Sequence, residues 1–200
     1  MNPMYFKAQY HTSATELRAC PNSVAEVAFA GRSNAGKSSA LNTITRNKKL
    51  ARTSKTPGRT QLLNYFTLGE DRFLVDLPGY GYAQVSKTKQ KAWQAALGSY
   101  LQRREPLKGI VLVMDIRHPL SDNDWTLIEM QQQGAAELHV LLTKSDKLGK
   151  SAIAKTLESV RATLEREGVE ATLQDFSALK AQGIDDAHGV LDEWLLGAPA

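Results

Sequence analysis

The 200-residue sequence has a single cysteine, Cys20, and no long apolar run. One thiol excludes an internal disulfide framework and any zinc site built from several cysteines. No stretch approaches the roughly 18 apolar residues that span a membrane, and the first residues lack the apolar core of a secretory signal peptide. We therefore expect a cytoplasmic protein. The 42 % hydrophobic and 23 % charged residues are typical of one globular domain with a sizeable core.

Acidic residues are scarce in the first third of the chain. Residues 1–66 carry ten Lys or Arg and two Asp or Glu, whereas residues 134–200 carry seven and eleven. This uneven distribution of the net charge of +4 indicates a polyanionic partner on one side of the molecule. A solvated basic face that includes an anion site explains the same charges, and composition does not separate the two explanations.

One stretch has the pattern of a phosphate-binding loop. Residues 31–38 read G-x-x-x-x-G-K-S, between an apolar run at 24–30 and a segment that can be helical. The glycines let successive N–H groups turn inward around an anion, and the helix adds its positive N-terminal end. Lys37 is predicted to reach the β- and γ-phosphates, and Ser38 to bind Mg²⁺. The predicted nucleotide contacts here are Gly31, Arg32, Ser33, Asn34, Ala35, Gly36, Lys37, Ser38 and Ser39.

Strands and helices alternate along the rest of the chain. The predicted fold is α/β, with a mostly parallel six-stranded sheet, one antiparallel edge strand and helices on both faces. Residues 1–23 are predicted as an N-terminal extension, residues 24–196 as the domain and residues 197–200 as a tail. Within the extension, Ser13 is predicted to cap a short helix. Strands are predicted near 25–30, 62–68, 72–76, 109–115, 138–143 and 171–176, and helices near 37–46, 87–104, 122–133, 151–167 and 184–195.

Two further segments complete a magnesium site. The run D-L-P-G at 76–79 ends an apolar strand, where the Asp76 carboxylate can hold Mg²⁺ through water and the glycine lets an N–H approach a γ-phosphate. Residues 46–60 are basic and punctuated by Pro and Gly, which predicts a long mobile loop. In that loop the Thr60 hydroxyl is predicted to bind Mg²⁺ when a γ-phosphate is present. Thr56 is the rival, and Thr60 is preferred because Gly58 gives its backbone room to turn.

The base is predicted to be guanine. Asp146, in the run T-K-S-D at 143–146, can accept two hydrogen bonds from a purine that carries N1–H and a 2-amino group. Adenine would leave the carboxylate unpaired, at a cost of several kcal/mol. Lys144 is predicted to lie along the base and brace the phosphate loop. After the last strand, the N–H of Ala178 is predicted to meet the guanine O6.

Together these motifs resemble those of translation-factor-class GTPases, and four runs resemble the EngB-type bacterial GTPases. The runs are GRSNAGKSS at 31–39, KTPGRTQ at 55–61, DLPGYGYA at 76–83 and TKSDK at 143–147, and DIRHP at 115–119 also fits. The resemblance implies a Ras-like domain that hydrolyses GTP to GDP with Mg²⁺, acts in large ribosomal subunit assembly, and is needed for normal septation and cell division. A monomer is expected. The remaining nucleotide contacts that it implies are Gly58, Arg59, Thr60, Gln61, Leu62, Asp76, Leu77, Pro78, Gly79, Thr143, Lys144, Ser145, Asp146, Phe176, Ser177 and Ala178.

Two positions bear on catalysis, beside Lys37 and Thr60. Ras-like proteins carry a glutamine after the D-x-x-G glycine to orient the attacking water, and this chain carries Tyr80. Slow intrinsic hydrolysis is therefore expected. Asn34 occupies the position of an asparagine in related potassium-activated GTPases, so its side-chain oxygen is a candidate K⁺ ligand. The alternative is that Asn34 merely tolerates a left-handed turn.

Other interpretations stay open at this level. A GTP-dependent binding module of the division machinery, with incidental hydrolysis, competes with the ribosomal switch, whereas Asp146 disfavours an ATP-dependent kinase. His118 is predicted to be structural or surface-exposed rather than a base. The tryptophans, at 93, 125 and 194, are predicted in the core, and Tyr80 and Tyr82 on a partner surface. The basic residues expected to touch rRNA are Lys48, Lys49, Arg52, Lys55 and Arg59.

Overall fold

Seven strands form one sheet in the order β1-β3-β4-β2-β5-β6-β7 within the described residues. The structure is a computed structural model that describes residues 2–51, 62–80 and 87–197, with the backbone only for residues 87–93. The strands are β1 (Gln9–Ala14), β2 (Ala25–Gly31), β3 (Leu63–Gly69), β4 (Arg72–Asp76), β5 (Leu107–Asp115), β6 (Glu137–Thr143) and β7 (Thr172–Asp175). The α-helices are α1 (Lys37–Ile44), α2 (Lys87–Arg103), α3 (Asp122–Gln131), α4 (Lys150–Arg166) and α5 (Ile184–Leu196).

The central strands are mostly apolar, as expected of strands that helices cover on both faces of the sheet. All seven residues of β2 are buried, as are seven of the eight residues 107–114, the exception being Lys108. One core cluster joins the sheet to α2, α3 and α4, and the other joins it to α1 and α5. The α/β fold with helices on both faces is therefore confirmed.

The prediction of six strands with one antiparallel strand at the edge is wrong in two respects. Residues 9–14 form a seventh strand, and its Ser13 hydroxyl donates to Asn64 Oδ1 on β3 at 2.7 Å rather than capping a helix. The antiparallel strand is β3, and it lies between β1 and β4 rather than at the edge. The N-terminal strand adds to the sheet because β3 would otherwise expose a row of unpaired backbone groups.

Helix α2 is fixed to the start of β2 through a buried carboxylate. Glu26 is fully buried, and its oxygens accept hydrogen bonds from Ser23, Tyr65, Tyr100 and the guanidinium of Arg104. Arg104 directly follows the last residue of α2. The C-terminal end of the helix is therefore held at the edge of the sheet opposite to the phosphate loop.

Two of the three tryptophans are placed by their described side chains. Trp194 is buried and Trp125 packs against the core, as predicted. The side chain of Trp93 lies outside the described part of the structure. No helix among the described residues is long and apolar enough to cross a bilayer.

Candidate active site

The predicted motifs meet at one edge of the sheet. Strands β4, β2, β5 and β6 are parallel neighbours, so their carboxyl ends share that edge. Their last residues are Asp76, Gly31, Asp115 and Thr143. Ligands of open α/β sheets bind just outside these strand ends. The motifs, which are far apart in the sequence, therefore lie together at one site.

The phosphate loop connects β2 to α1 through a backbone that needs its glycines. Gly36 has a φ of 98°, a left-handed conformation that L side chains rarely adopt. A Cβ on Gly31 would lie 2.7 Å from the carbonyl oxygen of Val113 on the neighbouring strand β5. Helix α1 begins directly after the loop, at Lys37, so its N-terminal N–H groups face the predicted phosphate position.

Lys37 and Asp76 form an ion pair at the centre of the site. The pair joins the ammonium group at the start of α1 to the carboxylate at the end of β4, and each side chain is 11 % exposed. Ser38 is the next residue of α1 and is half-buried. A hydroxyl and a carboxylate are the hard oxygen donors that Mg²⁺ prefers, so the residues present fit the predicted ion.

Thr143 and Lys144 bind the phosphate loop from the neighbouring side. The Thr143 hydroxyl lies against the carbonyl oxygens of Ala35 and Met114. The Lys144 ammonium donates to the carbonyl oxygen of Asn34 at 2.7 Å. Asn34 has a φ of 65°, so it does occupy a left-handed turn. The motif predicted to read the base therefore also braces the loop, as expected for Lys144.

Asp115 belongs to this site although the sequence assigned it no role. Its carboxylate accepts two hydrogen bonds from the Arg117 guanidinium, at 2.9 and 2.6 Å, and lies 2.9 Å from the Lys144 ammonium. The Arg117 hydrogen bonds and the Lys144 charge hold the pKa of Asp115 well below its usual range. Its position at the end of an apolar parallel strand, like that of Asp76, is the signal that could have found it.

The Asp146 carboxylate, which is predicted to read the base, is held by two neighbours. The Ser177 hydroxyl donates to Asp146 Oδ1 at 2.7 Å, and Lys147 Nζ lies 3.4 Å from Asp146 Oδ2. The Ser177 hydrogen bond is the main cause that lowers the pKa of Asp146. The N–H of Ser145 donates to the carbonyl oxygen of Phe176 at 3.1 Å. The T-K-S-D and S-A-L segments are therefore in direct contact, and Asp146 is presented as an anion.

Tyr80 is not on a surface, and that prediction is wrong. Tyr80 is only 6 % exposed, and its hydroxyl donates to Asp124 Oδ1 at 2.9 Å. Its carbonyl oxygen accepts the N–H of Ser33 in the phosphate loop at 2.9 Å. A large aromatic side chain gains more from burial than from exposure, provided that its hydroxyl finds a partner. His118, by contrast, is exposed.

Part of the predicted site lies outside the described residues. This part contains Thr56, Gly58, Arg59, Thr60, Gln61 and Tyr82. Leu62, Leu77, Pro78, Gly79 and Ala178 are described, and all lie near the same strand ends. Within the described part of the chain, no group of three or more His, Cys, Asp or Glu forms a metal cluster. The predicted Mg²⁺ set of Ser38, Thr60 and Asp76 stays a prediction.

Residues 26–144 match a protein family described as 50S ribosome-binding GTPase. The chain is similar to the probable GTP-binding protein EngB of Coxiella burnetii, with 52 % identity over 198 residues that cover 98 % of this chain and 97 % of that protein. The protein of the same name from Salmonella newport is 50 % identical over 194 residues, which cover 96 % and 92 %.

Solved structures resemble most of the chain. A crystal structure of a probable GTP-binding protein engB matches with a TM-score of 0.67 and 20 % identity, covering 87 % of this chain and 100 % of that one. A bacterial selenocysteine-specific elongation factor matches with a TM-score of 0.64 and 20 % identity, covering 89 % and 30 %. At this identity the likeness shows the fold, which is that of Ras-like P-loop GTPases.

Proposed function

The chain belongs to the EngB family of GTP-binding proteins, which makes it a GTPase, and from this premise we propose that it is a GTP-dependent switch in large ribosomal subunit assembly. The observation that carries the proposal is the hydrogen bond between Ser33 of the phosphate loop and Tyr80 after the D-x-x-G run. It couples the loop that holds the phosphates to the segment that distinguishes GTP from GDP. A large-subunit precursor is a cytoplasmic particle in bacteria, so the proposal places the protein in the cytoplasm.

The proposed switch depends on two charged residues, Lys37 and Asp76, that already form an ion pair. Lys37 would leave Asp76 to neutralise the β- and γ-phosphates of GTP, and Asp76 would then face the ion through water. Ser38 and, with GTP, Thr60 would be the direct Mg²⁺ ligands. The bound Mg²⁺ supplies charge neutralisation on the phosphates. Asp146, oriented by Ser177, would read the guanine edge.

Hydrolysis is proposed to be slow without an activator. The Tyr80 hydroxyl is engaged by Asp124 and cannot replace the glutamine that orients water in Ras-like proteins. We propose Asn34 as a K⁺ ligand that supplies charge beside the phosphates. Hydrolysis rates in K⁺ and in Na⁺ at equal ionic strength test this role. A faster rate in K⁺ that Asn34→Ala abolishes supports it, and equal rates in the two salts overturn it.

The proposed rRNA contact is a basic face made of Lys7, Arg46, Lys48 and Lys49. All four residues are exposed, and the Arg46 guanidinium lies 4.7 Å from the centre of the Phe6 ring. The turn at 46–51 is fastened to α1, because Asn42 Oδ1 accepts the N–H of Ala51 at 2.7 Å. The other basic residues expected to touch rRNA, Arg52, Lys55 and Arg59, follow in the sequence and lie outside the described residues.

Reversing two charges on the basic face tests the rRNA contact. The double substitution Lys48→Glu and Lys49→Glu should weaken binding to ribosomal large-subunit precursors and reduce the slope of log affinity against log salt by about 1.5 to 2. The matched control reverses Lys150 and Lys155, two exposed lysines of α4. Binding that is unchanged at several salt concentrations overturns the assignment of this face.

A second function is favoured by Tyr80 alone. A residue that cannot orient water suits a GTP-dependent binding module whose hydrolysis is incidental, acting on the division machinery. The basic face does not favour this alternative, because division proteins are not polyanions of the kind that rRNA is. Binding to division proteins, and not to ribosomal particles, in the presence of a non-hydrolysable GTP analogue would support the second function.

A further inference from the structure

Tyr80 joins two parts of the molecule that are far apart in the sequence. Its ring is buried in the core cluster that also contains Leu127 and Ile128 of α3. Its hydroxyl donates to Asp124, in the first turn of α3, at 2.9 Å. Its main chain forms a parallel bridge with Arg32 of the phosphate loop. One residue therefore connects the first turn of α3 to the phosphate loop.

Asp124 is, like Tyr80, buried and hydrogen-bonded. It is 3 % exposed, and its second oxygen, Oδ2, accepts hydrogen bonds from the N–H and the hydroxyl of Ser121 at 2.9 and 2.7 Å. These bonds belong to the cap of α3, where a carboxylate is stabilised by the helix N-terminus. The tyrosine hydroxyl supplies the donor for the other oxygen, which a buried carboxylate requires. The Asp124 carboxylate, which accepts the Tyr80 hydrogen bond, is therefore held in place by the N-terminus of α3.

The residue before Tyr80 lies against the phosphate loop. A Cβ on Gly79 would lie 3.7 Å from the main-chain nitrogen of Ser33, and the Ser33 N–H itself donates to the Tyr80 carbonyl oxygen at 2.9 Å. The peptide group that joins Gly79 to Tyr80 is therefore held at the phosphate loop from its Tyr80 side. The N–H of Gly79 is separated from that peptide group only by the φ and ψ rotations of Gly79.

We infer that Tyr80 is a positioning residue, which through its hydrogen bond to Asp124 holds the Gly79 N–H in place for the γ-phosphate and so sets the affinity for GTP relative to that for GDP. This inference rests on the proposed role of Gly79 as the residue that approaches the γ-phosphate. GDP has no γ-phosphate, so in the proposed site it would contact the phosphate loop, Lys37, Ser38 and the residues proposed to read the base, and not the Gly79 N–H. Loss of the Tyr80 hydroxyl therefore weakens GTP binding selectively.

The substitution Tyr80→Phe tests the inference, because it removes the hydroxyl and keeps the ring in the core. Dissociation constants for a non-hydrolysable GTP analogue and for GDP are measured on the full chain by nucleotide competition. The affinity for the analogue should fall about tenfold, as expected for one buried hydrogen bond to a charged group, while the affinity for GDP changes less than about twofold. Equal losses for the two nucleotides, or no loss for either, overturn the inference.

Variants of Asp124 and Ser121 separate positioning from helix stability. Asp124→Ala removes the acceptor, so it should lower analogue binding as Tyr80→Phe does, and the double variant should lose no more than either single variant. Asp124→Asn keeps an oxygen that can accept the Tyr80 hydrogen bond, so this variant should keep the wild-type ratio of the affinities for the analogue and for GDP. Ser121→Ala is the matched control, because it removes a donor from the same carboxylate without touching Tyr80. Additive losses in the double variant, or a changed preference in Ser121→Ala, contradict the inference.

Failure of the inference differs from failure of the proposed function. If the wild-type chain binds the GTP analogue and GDP but Tyr80→Phe leaves their ratio unchanged, the positioning role is refuted and the switch is not. If the wild-type chain itself binds the two nucleotides with equal affinity and associates with no ribosomal particle in either state, the switch is refuted as well.

Discussion

Asp146 is the residue on which the choice of base is proposed to depend. Its carboxylate is oriented by the Ser177 hydroxyl at 2.7 Å and lies near Lys147, so it is ready to accept two hydrogen bonds from guanine. Asp146→Asn replaces one acceptor oxygen by an N–H donor, which suits the 2-oxo group of xanthine. We predict that the affinity for GDP falls on the order of a hundredfold or more, while xanthosine diphosphate gains.

Competition between the two diphosphates measures this change. Asp175→Asn is the matched control, since Asp175 lies at the end of β7 and accepts a hydrogen bond from Gln182. An Asp146→Asn variant that still prefers GDP over xanthosine diphosphate would show that another residue reads the base.

His139 makes the stability of the fold dependent on pH. Burial lowers its pKa to about 4, although a hydrogen bond with Gln174 partly opposes the shift. Nδ1 lies 2.7 Å from the Thr172 hydroxyl across the β6–β7 pair. Between about pH 6.5 and 4 the unfolded chain binds a proton that the folded chain does not. The free energy of unfolding should therefore fall as the pH falls through this window, by up to about 3 kcal/mol.

Urea unfolding at several pH values tests the role of His139. In His139→Gln the fall between pH 6.5 and 4 should be smaller by about that amount, whereas His118→Gln, which removes an exposed histidine, should behave like the wild type. If the wild type and His139→Gln lose stability in parallel, the buried imidazole is not the cause.

Among the elements, helix α2 depends on one buried ion pair. Arg104 donates to the fully buried Glu26 through Nε at 3.1 Å and through a second nitrogen at 2.5 Å. Arg104→Ala would leave a buried carboxylate without its cation. We predict a loss of about 3–5 kcal/mol in the free energy of unfolding. Urea denaturation measures it.

The neighbouring residue gives the control for this pair. Arg103 is exposed, so Arg103→Ala should change the free energy of unfolding by less than about 0.5 kcal/mol. Similar losses in the two variants would mean that helix propensity, and not the contact with Glu26, determines the effect.

The strands that the sequence patterns predict and the strand that they do not predict are stabilised in different ways. The buried strands β2, β5 and β6 are mostly apolar, so their pattern alone reveals them. Strand β1 has three exposed residues at its start and is formed by pairing with β3. Its polar sequence, with Ser13 three residues before Glu16, equally fits a helix start, and only the tertiary contact decides between the two.

For the whole molecule, the site was predictable because parallel strands end at one edge. Motifs at the ends of β2, β4 and β6 must then lie together, whatever their separation in the sequence. What could not be predicted is pairing among side chains. The contacts of Asp115 with Lys144 and of Tyr80 with Asp124 join residues that are 29 and 44 positions apart, and no local pattern encodes them.

The charge distribution of the whole chain agrees with the proposed partner. The basic first third contains the phosphate loop and the exposed Lys48 and Lys49, and the acidic last third contains α4, β7 and α5. The two parts do not lie on opposite sides of the molecule, because α5 packs against α1 close to the basic turn. The exposed lysines of that turn would therefore attract a polyanion locally.

The central claim is that GTP controls association with a ribosomal large-subunit precursor. The most direct test is sedimentation of the full chain with purified precursor particles, in parallel with a non-hydrolysable GTP analogue and with GDP, at constant salt. We predict that the protein sediments with the particles in the presence of the analogue and is released with GDP. Equal sedimentation with the two nucleotides, or none with either, would contradict the account.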